Sequence, residues 1–213
     1  MLEFYYNPIS VNARRVWVAL LEKQIPFEPV LVNLDGDQFH ADFTAINPLQ
    51  RIPAIVDDGC RVAESLAILD YLEATYPTPS LMPSTPEAIA LVRMVEMVTV
   101  TELQPATVPL TRPLVGLKVE PWKLEAAQQR VAIALQFLEE LLNEQTYFAN
   151  DKFTLAEVVA GTLIPSLPLE NYPRLKAWSE RLAQRESWQQ TVADPEAIKA
   201  ALPNVQKILE RRF

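Results

Sequence analysis

The chain has 213 residues, 49% hydrophobic and 22% charged, with 27 acidic against 19 basic side chains and a formal net charge of -8. That composition suits a globular protein with one or two hydrophobic cores, argues against intrinsic disorder, and disfavours non-specific attraction to nucleic acid or to an anionic membrane. Cys60 is the single cysteine, which excludes an internal disulfide framework and a two-cysteine redox motif. The N-terminus MLEFYYNPIS has no basic segment ahead of an apolar core, and no apolar run reaches the roughly 18 residues of a spanning helix, so the expectation is a cytoplasmic protein with neither membrane nor nucleic acid as partner.

Leu2 to Tyr6 reads as a short apolar strand that Asn7-Pro8 breaks; Asn12 to Gln24 then carries Val16, Ala19 and Leu20 at helical spacing. Phe27 to Leu34 reads as a second strand, Asp35-Gly36-Asp37 as a turn, and Gln38 to Thr44 as a short helix. Ile52 to Asp57 is a third strand, Asp58-Gly59 a hairpin turn, Arg61 to Ala63 the returning strand, and Ser65 to Thr75 a helix, which gives the order βαβαββα. Pro77, Pro79, Pro83 and Pro86 mark a linker over 78–86 between a domain of residues 1–77 and one of residues 87–213.

Beyond the linker the signal is helical: Glu87 to about Glu102, Pro121 to Asn143, Leu155 to Thr162, Tyr172 to Arg185 and Pro195 to Arg211. Thr154 and Glu157 have capping-box spacing, with Phe153 and Val158 placed as its hydrophobic staple. The stretch QPATVPLTRPL, with three prolines, is expected to end or kink a helix or to form a connecting loop. Trp122, Trp178 and Trp188 are expected in the helical core. The fold class is therefore a small α/β domain followed by an all-α domain. Four glycines leave no room for a nucleotide-binding glycine-rich loop, and His40, the only histidine, makes a Ser-His-Asp hydrolase or a histidine-rich metal site implausible; no metal is expected.

The arrangement resembles the cytosolic glutathione transferase family over essentially the whole chain. The residues that carry the resemblance are NPISVNARRV after the first strand, NPLQRIPAI before the third, AESLAILDYLE at the third helix, and FTLAEVV with YPRLKAWSERLAQR in the helical half. It implies a thioredoxin-like N-terminal domain that binds glutathione, an all-helical domain that supplies a site for a small hydrophobic electrophile, and a homodimer. The serine-type classes, theta, delta, phi or the cyanobacterial chi class, are nearer than alpha, mu or pi.

Three parts of a glutathione site follow. The resemblance implies a cis Ile52-Pro53 peptide, whose exposed Ile52 N–H and C=O would pair with the cysteinyl unit as an added strand, with Gln50 near its main chain; alternatively Pro53 is a plain strand-start proline. A carboxylate at the start of the helix that Ser65 opens would meet free N–H groups, the Ser65 hydroxyl and the positive end of the dipole, while Glu64 takes an ammonium; the γ-glutamyl end of glutathione offers both, and alternatively Glu64-Ser65 is an ordinary N-cap. Gln38 and His40 border the glycine end, and Arg51 adds local positive charge.

Catalysis needs the thiolate. A thiol of pKa about 8.5 lowered by about two units becomes mainly ionised at pH 7, which takes about 2.7 kcal/mol, within reach of one charge-assisted hydrogen bond and a helix N-terminus. Ser10 is the best-placed donor, Asn12 and Tyr6 are alternatives, and Arg14 could raise the local potential; Ser10 is equally a good helix N-cap, and Tyr6 a good sheet aromatic. The resemblance implies that Thr101, Gln104 and Pro105 face the electrophile. The competing readings are a non-catalytic binding protein that keeps the fold, and a glutathione-dependent isomerase or dehalogenase.

Overall fold

The computed structural model describes residues 1–212 of the chain, with the side chains of the last two of these left aside. They form two compact units: residues 1–81 with 186–201, and residues 82–185 with 202 onward.

The first unit is built on a four-stranded sheet ordered β2-β1-β3-β4, from β1 (Leu2–Tyr6), β2 (Phe27–Leu31), β3 (Ala54–Asp57) and β4 (Cys60–Ala63). β1 runs parallel to β2 and antiparallel to β3, and β3 and β4 form a hairpin. The two residues between β3 and β4, Asp58 (φ 47°) and Gly59 (φ 83°), are both left-handed, as a tight hairpin turn matched to strand twist demands. Alternation along β1 sorts the two faces. Leu2 and Phe4 point to one side, where Val16, Leu20, Ile68, Leu69 and Leu72 from α1 (Val11–Glu22) and α3 (Ser65–Thr75) are buried. Tyr5 points to the other, against Phe43 of α2 (Ala41–Ile46) and a small cluster of Val32, Ala54, Ile46 and Ile52.

Residues 186–201 join this unit for local reasons. The Arg14 guanidinium of α1 donates to Thr191 Oγ1 at 3.2 Å and to the Trp188 carbonyl at 3.4 Å, and Ser187 at the start of α9 (Glu186–Gln190) donates to the Glu22 carboxylate. Burial depresses the Arg14 pKa, a mark of how far its charge is withdrawn from water. Lys23, at the end of α1, is buried and donates to Glu73 at 2.6 Å and to the Pro79 carbonyl at 2.8 Å.

The second unit is helical. α4 (Pro86–Met97) passes through a π-helical turn, Val98–Leu103, into α5 (Gln104–Thr111) and a 3₁₀ turn, Arg112–Val115. The α-helix does not stop at Pro105; it ends inside the proline-rich stretch only at Thr111, before the 3₁₀ turn. An α-helical proline clashes with the carbonyl four residues back, and the wider π turn immediately before Pro105, where Gln104 N–H reaches back five residues to Thr99 C=O, makes room for its ring. α6 (Pro121–Leu142) packs on α8 (Pro173–Ala183), and α7 (Leu155–Ala160), every residue of which is buried, packs on α4. Glu139 of α6 caps α8 by accepting from Arg174 N–H at 2.9 Å and Leu175 N–H at 2.8 Å. The Thr154–Glu157 capping box is present. α10 (Pro195–Arg212) closes the described chain and runs through residues of both units.

Trp178 and Trp188 are buried as expected, but Trp122 is 63% exposed: it stands in the first turn of α6, where its helical position faces water. Other elements are shorter than the sequence suggests. β2 stops at Leu31 and β3 starts at Ala54, after the Ile52-Pro53 peptide, and the expected helix over 38–44 is a 3₁₀ turn, Asp37–Phe39, followed by α2. Among the described residues no helix is long and apolar enough to cross a membrane.

Candidate functional site

Strand register places the N-terminal candidates. Tyr5 lies opposite Ala54, and Ala54 opposite Ala63, so the C-terminal end of β1, the start of β3 and the end of β4 lie at one end of the sheet. The segments that continue from them are Asn7–Ser10, Gln50–Pro53 and Glu64-Ser65. Tyr6 pairs with Leu31 and its carbonyl accepts from Val32 N–H at 2.8 Å, which brings the segment leading to Gln38 and His40 to the same end.

Ser10 is the N-cap of α1, and its Oγ accepts from Ala13 N–H at 3.2 Å. That bond uses an oxygen lone pair and leaves the hydroxyl proton as a donor. Asn12 accepts from Arg15 Nη1 at 2.9 Å through its side-chain oxygen. The Tyr6 ring is packed against Phe4 at 5.1 Å and Trp17 at 5.0 Å. Arg14 is turned toward Trp188 and Thr191, as described above.

The Ile52-Pro53 peptide is cis. Ile52 packs beside the Val32, Phe43 and Ala54 cluster, and Pro53 is buried. The loop before it is held by Asn47, which is buried and donates to the Arg51 carbonyl at 2.6 Å while accepting from Leu49 N–H at 3.0 Å. Gln50 has φ 56° and donates to Thr44 Oγ1 at 3.4 Å; the Arg51 side chain is exposed. Asn7 plays the same part in the first loop, accepting from Ile9 N–H and donating to the Val32 carbonyl at 3.0 Å. Neither asparagine was expected as an organiser of the site. The signal was present twice, as Asn-Pro, since asparagine folds back on the backbone two residues on and proline blocks helix just after it.

Glu64 has φ 68° and ψ 120°, far from what a non-glycine residue prefers, and makes no side-chain capping bond although it occupies the N-cap of α3. Its side chain is exposed, whereas Ser65 is buried at the first turn. Gln38 is buried with Oε1 lacking any hydrogen-bond partner, and His40 is exposed, with Nδ1 4.0 Å from Asp37. This end of the sheet thus offers two helix N-termini, an uncommitted carboxylate, a hydroxyl and an orphaned amide acceptor. Such a set suits a zwitterionic, acidic peptide better than a neutral ligand.

In the helical unit, Thr101 is exposed on the π turn with its hydroxyl donating to the Met97 carbonyl at 2.8 Å. Gln104 opens α5, and Pro105 lines a pocket of about 720 Å³ together with Val108, Pro109 and Arg112. Among the described residues, no three His, Cys, Asp or Glu side chains gather as a metal site would require.

Family comparison matches residues 4–80 to the glutathione S-transferase N-terminal domain and residues 98–186 to the glutathione S-transferase C-terminal domain. The chain is 35% identical to glutathione S-transferase 3 of Zea mays over 90% of its own length and 93% of the relative's. It is 32% identical to maleylacetoacetate isomerase of Rattus norvegicus over 82% of this chain and 84% of that one. Among solved structures, human glutathione-S-transferase T1-1 in its apo form superposes with a TM-score of 0.80 at 25% identity, covering 98% of this chain and all of the other.

Proposed function

Because the chain belongs to the glutathione S-transferase family and is a glutathione transferase, we propose that its N-terminal unit activates the glutathione thiol and directs it at small hydrophobic electrophiles. Ser10 donates its hydroxyl proton to the sulfur, helped by the N-terminus of α1. Ile52 holds the cysteinyl unit by its main chain. Ser65 and the free N–H groups of α3 receive the γ-glutamyl carboxylate, and Glu64 receives the ammonium beside it. Gln38 and His40 meet the glycine end, and Gln50 and Arg51 flank the middle. Thr101, Gln104 and Pro105 face the electrophile. Tyr6 is a weaker donor than Ser10 because its ring is wedged between aromatic rings, and Asn12, held by Arg15 through its carbonyl oxygen, is the alternative donor through its amide. Arg14 acts through position, by fixing α1 against Thr191 and Trp188.

The observation that carries this reading is the backbone of Glu64. A left-handed glutamate costs of order 1–2 kcal/mol, and the fold gains no capping bond from its side chain. A ligand ammonium gives that geometry a use. Activation is then nucleophile deprotonation plus proximity, with no covalent enzyme intermediate.

Ultraviolet titration of bound glutathione tests binding and activation together. The thiolate band is expected to appear about two pH units below that of free glutathione. In Ser10→Ala the band should return toward the free value and kcat/KM fall by about 10²-fold, with glutathione still bound. An unshifted band in the native protein would sink the reading. A second reading, glutathione-dependent isomerisation, is favoured by the identity to the rat maleylacetoacetate isomerase. Turnover of maleylacetoacetate without conjugation of a chromogenic aryl halide would select it.

A further inference from the structure

We propose that Asn47 is a positioning residue of the transferase reaction: it aims the Ile52 N–H at the cysteinyl unit of glutathione and so places the sulfur. The inference rests on the glutathione reading above and concerns a residue that acts through another. Asn47 is 2% exposed and closes α2, its own N–H donating to the Phe43 carbonyl at 2.8 Å. Its carbonyl accepts from Gln50 N–H at 2.9 Å and its side-chain oxygen from Leu49 N–H at 3.0 Å, so the turn Asn47-Pro48-Leu49-Gln50 is tied to it twice. The side-chain amide nitrogen then donates to the Arg51 carbonyl at 2.6 Å. A side chain anchored through its acceptor sets the direction of whatever its donor holds.

What it holds is one half of a peptide plane. The Arg51 carbonyl and the Ile52 N–H belong to the same trans amide, in which C=O and N–H point in opposite directions. Fixing the carbonyl toward the buried Asn47 turns the N–H away from the interior of the loop. Ile52 precedes β3, and its N–H meets no hydrogen-bond acceptor among the described residues. An unpaired N–H of fixed direction is a ready donor for a ligand carbonyl. The residue type follows from the two tasks: aspartate has no donor at neutral pH and glutamine adds a rotatable bond, whereas asparagine carries donor and acceptor on one short plane. Gln50, at φ 56°, shows how closely the path is specified, since a left-handed residue other than glycine persists only where its surroundings determine it.

Asn47→Asp keeps the acceptor for Leu49 and removes the donor to Arg51. In protein carrying isotope-labelled isoleucine, with Ile52→Val assigning the signal, the Ile52 amide resonance of the ligand-free chain is expected to move, because the carbonyl of its amide has been released. Affinity for S-methylglutathione, which has no thiol to ionise, should fall about tenfold by calorimetry. The thiolate band of bound glutathione should shift toward that of free glutathione even at saturation, as a misplaced sulfur implies. Glu157→Gln, in the helical unit, should change none of the three. Should Asn47→Asp not fold, Asn47→Ser, whose hydroxyl can accept from Leu49 N–H but falls short of Arg51, carries the same comparison. An Ile52 resonance that stays in place, or one that moves while affinity and the thiolate band keep their native values, would overturn the proposal. A native chain that binds no S-methylglutathione, while Asn47→Asp still moves the Ile52 resonance, would instead defeat the glutathione reading, and the positioning role with it.

Discussion

At the scale of single residues, Glu64 separates stability from binding. Glycine adopts φ 68° without the side-chain clash, though it adds freedom to the unfolded chain, so the two effects of Glu64→Gly oppose each other. Unfolding free energy is expected to stay within about 1 kcal/mol of the native value in urea titrations. Glutathione affinity is expected to fall at least about tenfold, as loss of one charge-assisted contact implies. A stable variant with unchanged affinity would remove Glu64 from the site. Nothing in the sequence announced the strain: Glu-Ser before an apolar helix is an ordinary pattern, and only the backbone angle distinguishes a cap from a held carboxylate. Tyr5 and Tyr76 show a quieter effect. Burial, then the hydrogen bonds to Glu3 and Asp57 respectively, pushes both phenols up to about 12. Their folded values lie above the unfolded one, so the stability they contribute is complete below pH 10 and is lost as pH rises from 10 toward 12. Phenolate absorbance should show at least two of the six tyrosines ionising late, and Tyr76→Phe should remove one of them and flatten the alkaline loss of stability.

At the scale of elements, the capping box of α7 was legible because it is a spacing rule, Thr154 with Glu157, that needs no partner far away in sequence. What the spacing does not reveal is the third bond: Glu157 also accepts from Phe148 N–H at 2.8 Å, besides Thr154 N–H at 2.9 Å and Thr154 Oγ1 at 2.8 Å. Burial drives its pKa up, and the three donors work against that rise. Glu157→Ala strands those buried donors and should cost roughly 3–5 kcal/mol in urea unfolding, whereas Glu157→Gln, which keeps an acceptor and removes the buried charge, should cost about half as much or less. Equal losses would mean that packing, and not the bonds, dominates. The α4–α5 run was misread for a complementary reason. Proline at 105 breaks an α-helix, but the π turn ahead of it is invisible to a rule written for α geometry. The five-residue α9 carries too few residues for a periodic signal, and its place depends on Arg14 and Glu22, more than 160 positions away.

For the molecule as a whole, element order and the change from mixed sheet to helices were readable because each strand and helix has its own apolar period. Which segments share one end of the sheet was not, since that is fixed by the register of β1, β3 and β4. The helical unit leaves Met97 and Met94 of α4, and Ile133 and Phe137 of α6, between 39% and 60% exposed. A homodimer is typical of this family, and we propose that its interface covers these side chains. Sedimentation is expected to give a dimer, and Met97→Glu with Phe137→Glu a folded monomer; a dimer that survives both changes would place the interface elsewhere.

The discontinuity of the first unit also bears on synthesis. Its sheet and α1 leave the ribosome ahead of residues 82–185 of the helical unit, and Ser187, Trp188 and Thr191, to which Glu22 and Arg14 bond, follow only after those. The sheet and α1 must wait, partly unlatched, for residues more than 160 positions later, and a stall or truncation before residue 186 would release them with the Arg14 guanidinium lacking its Thr191 and Trp188 partners.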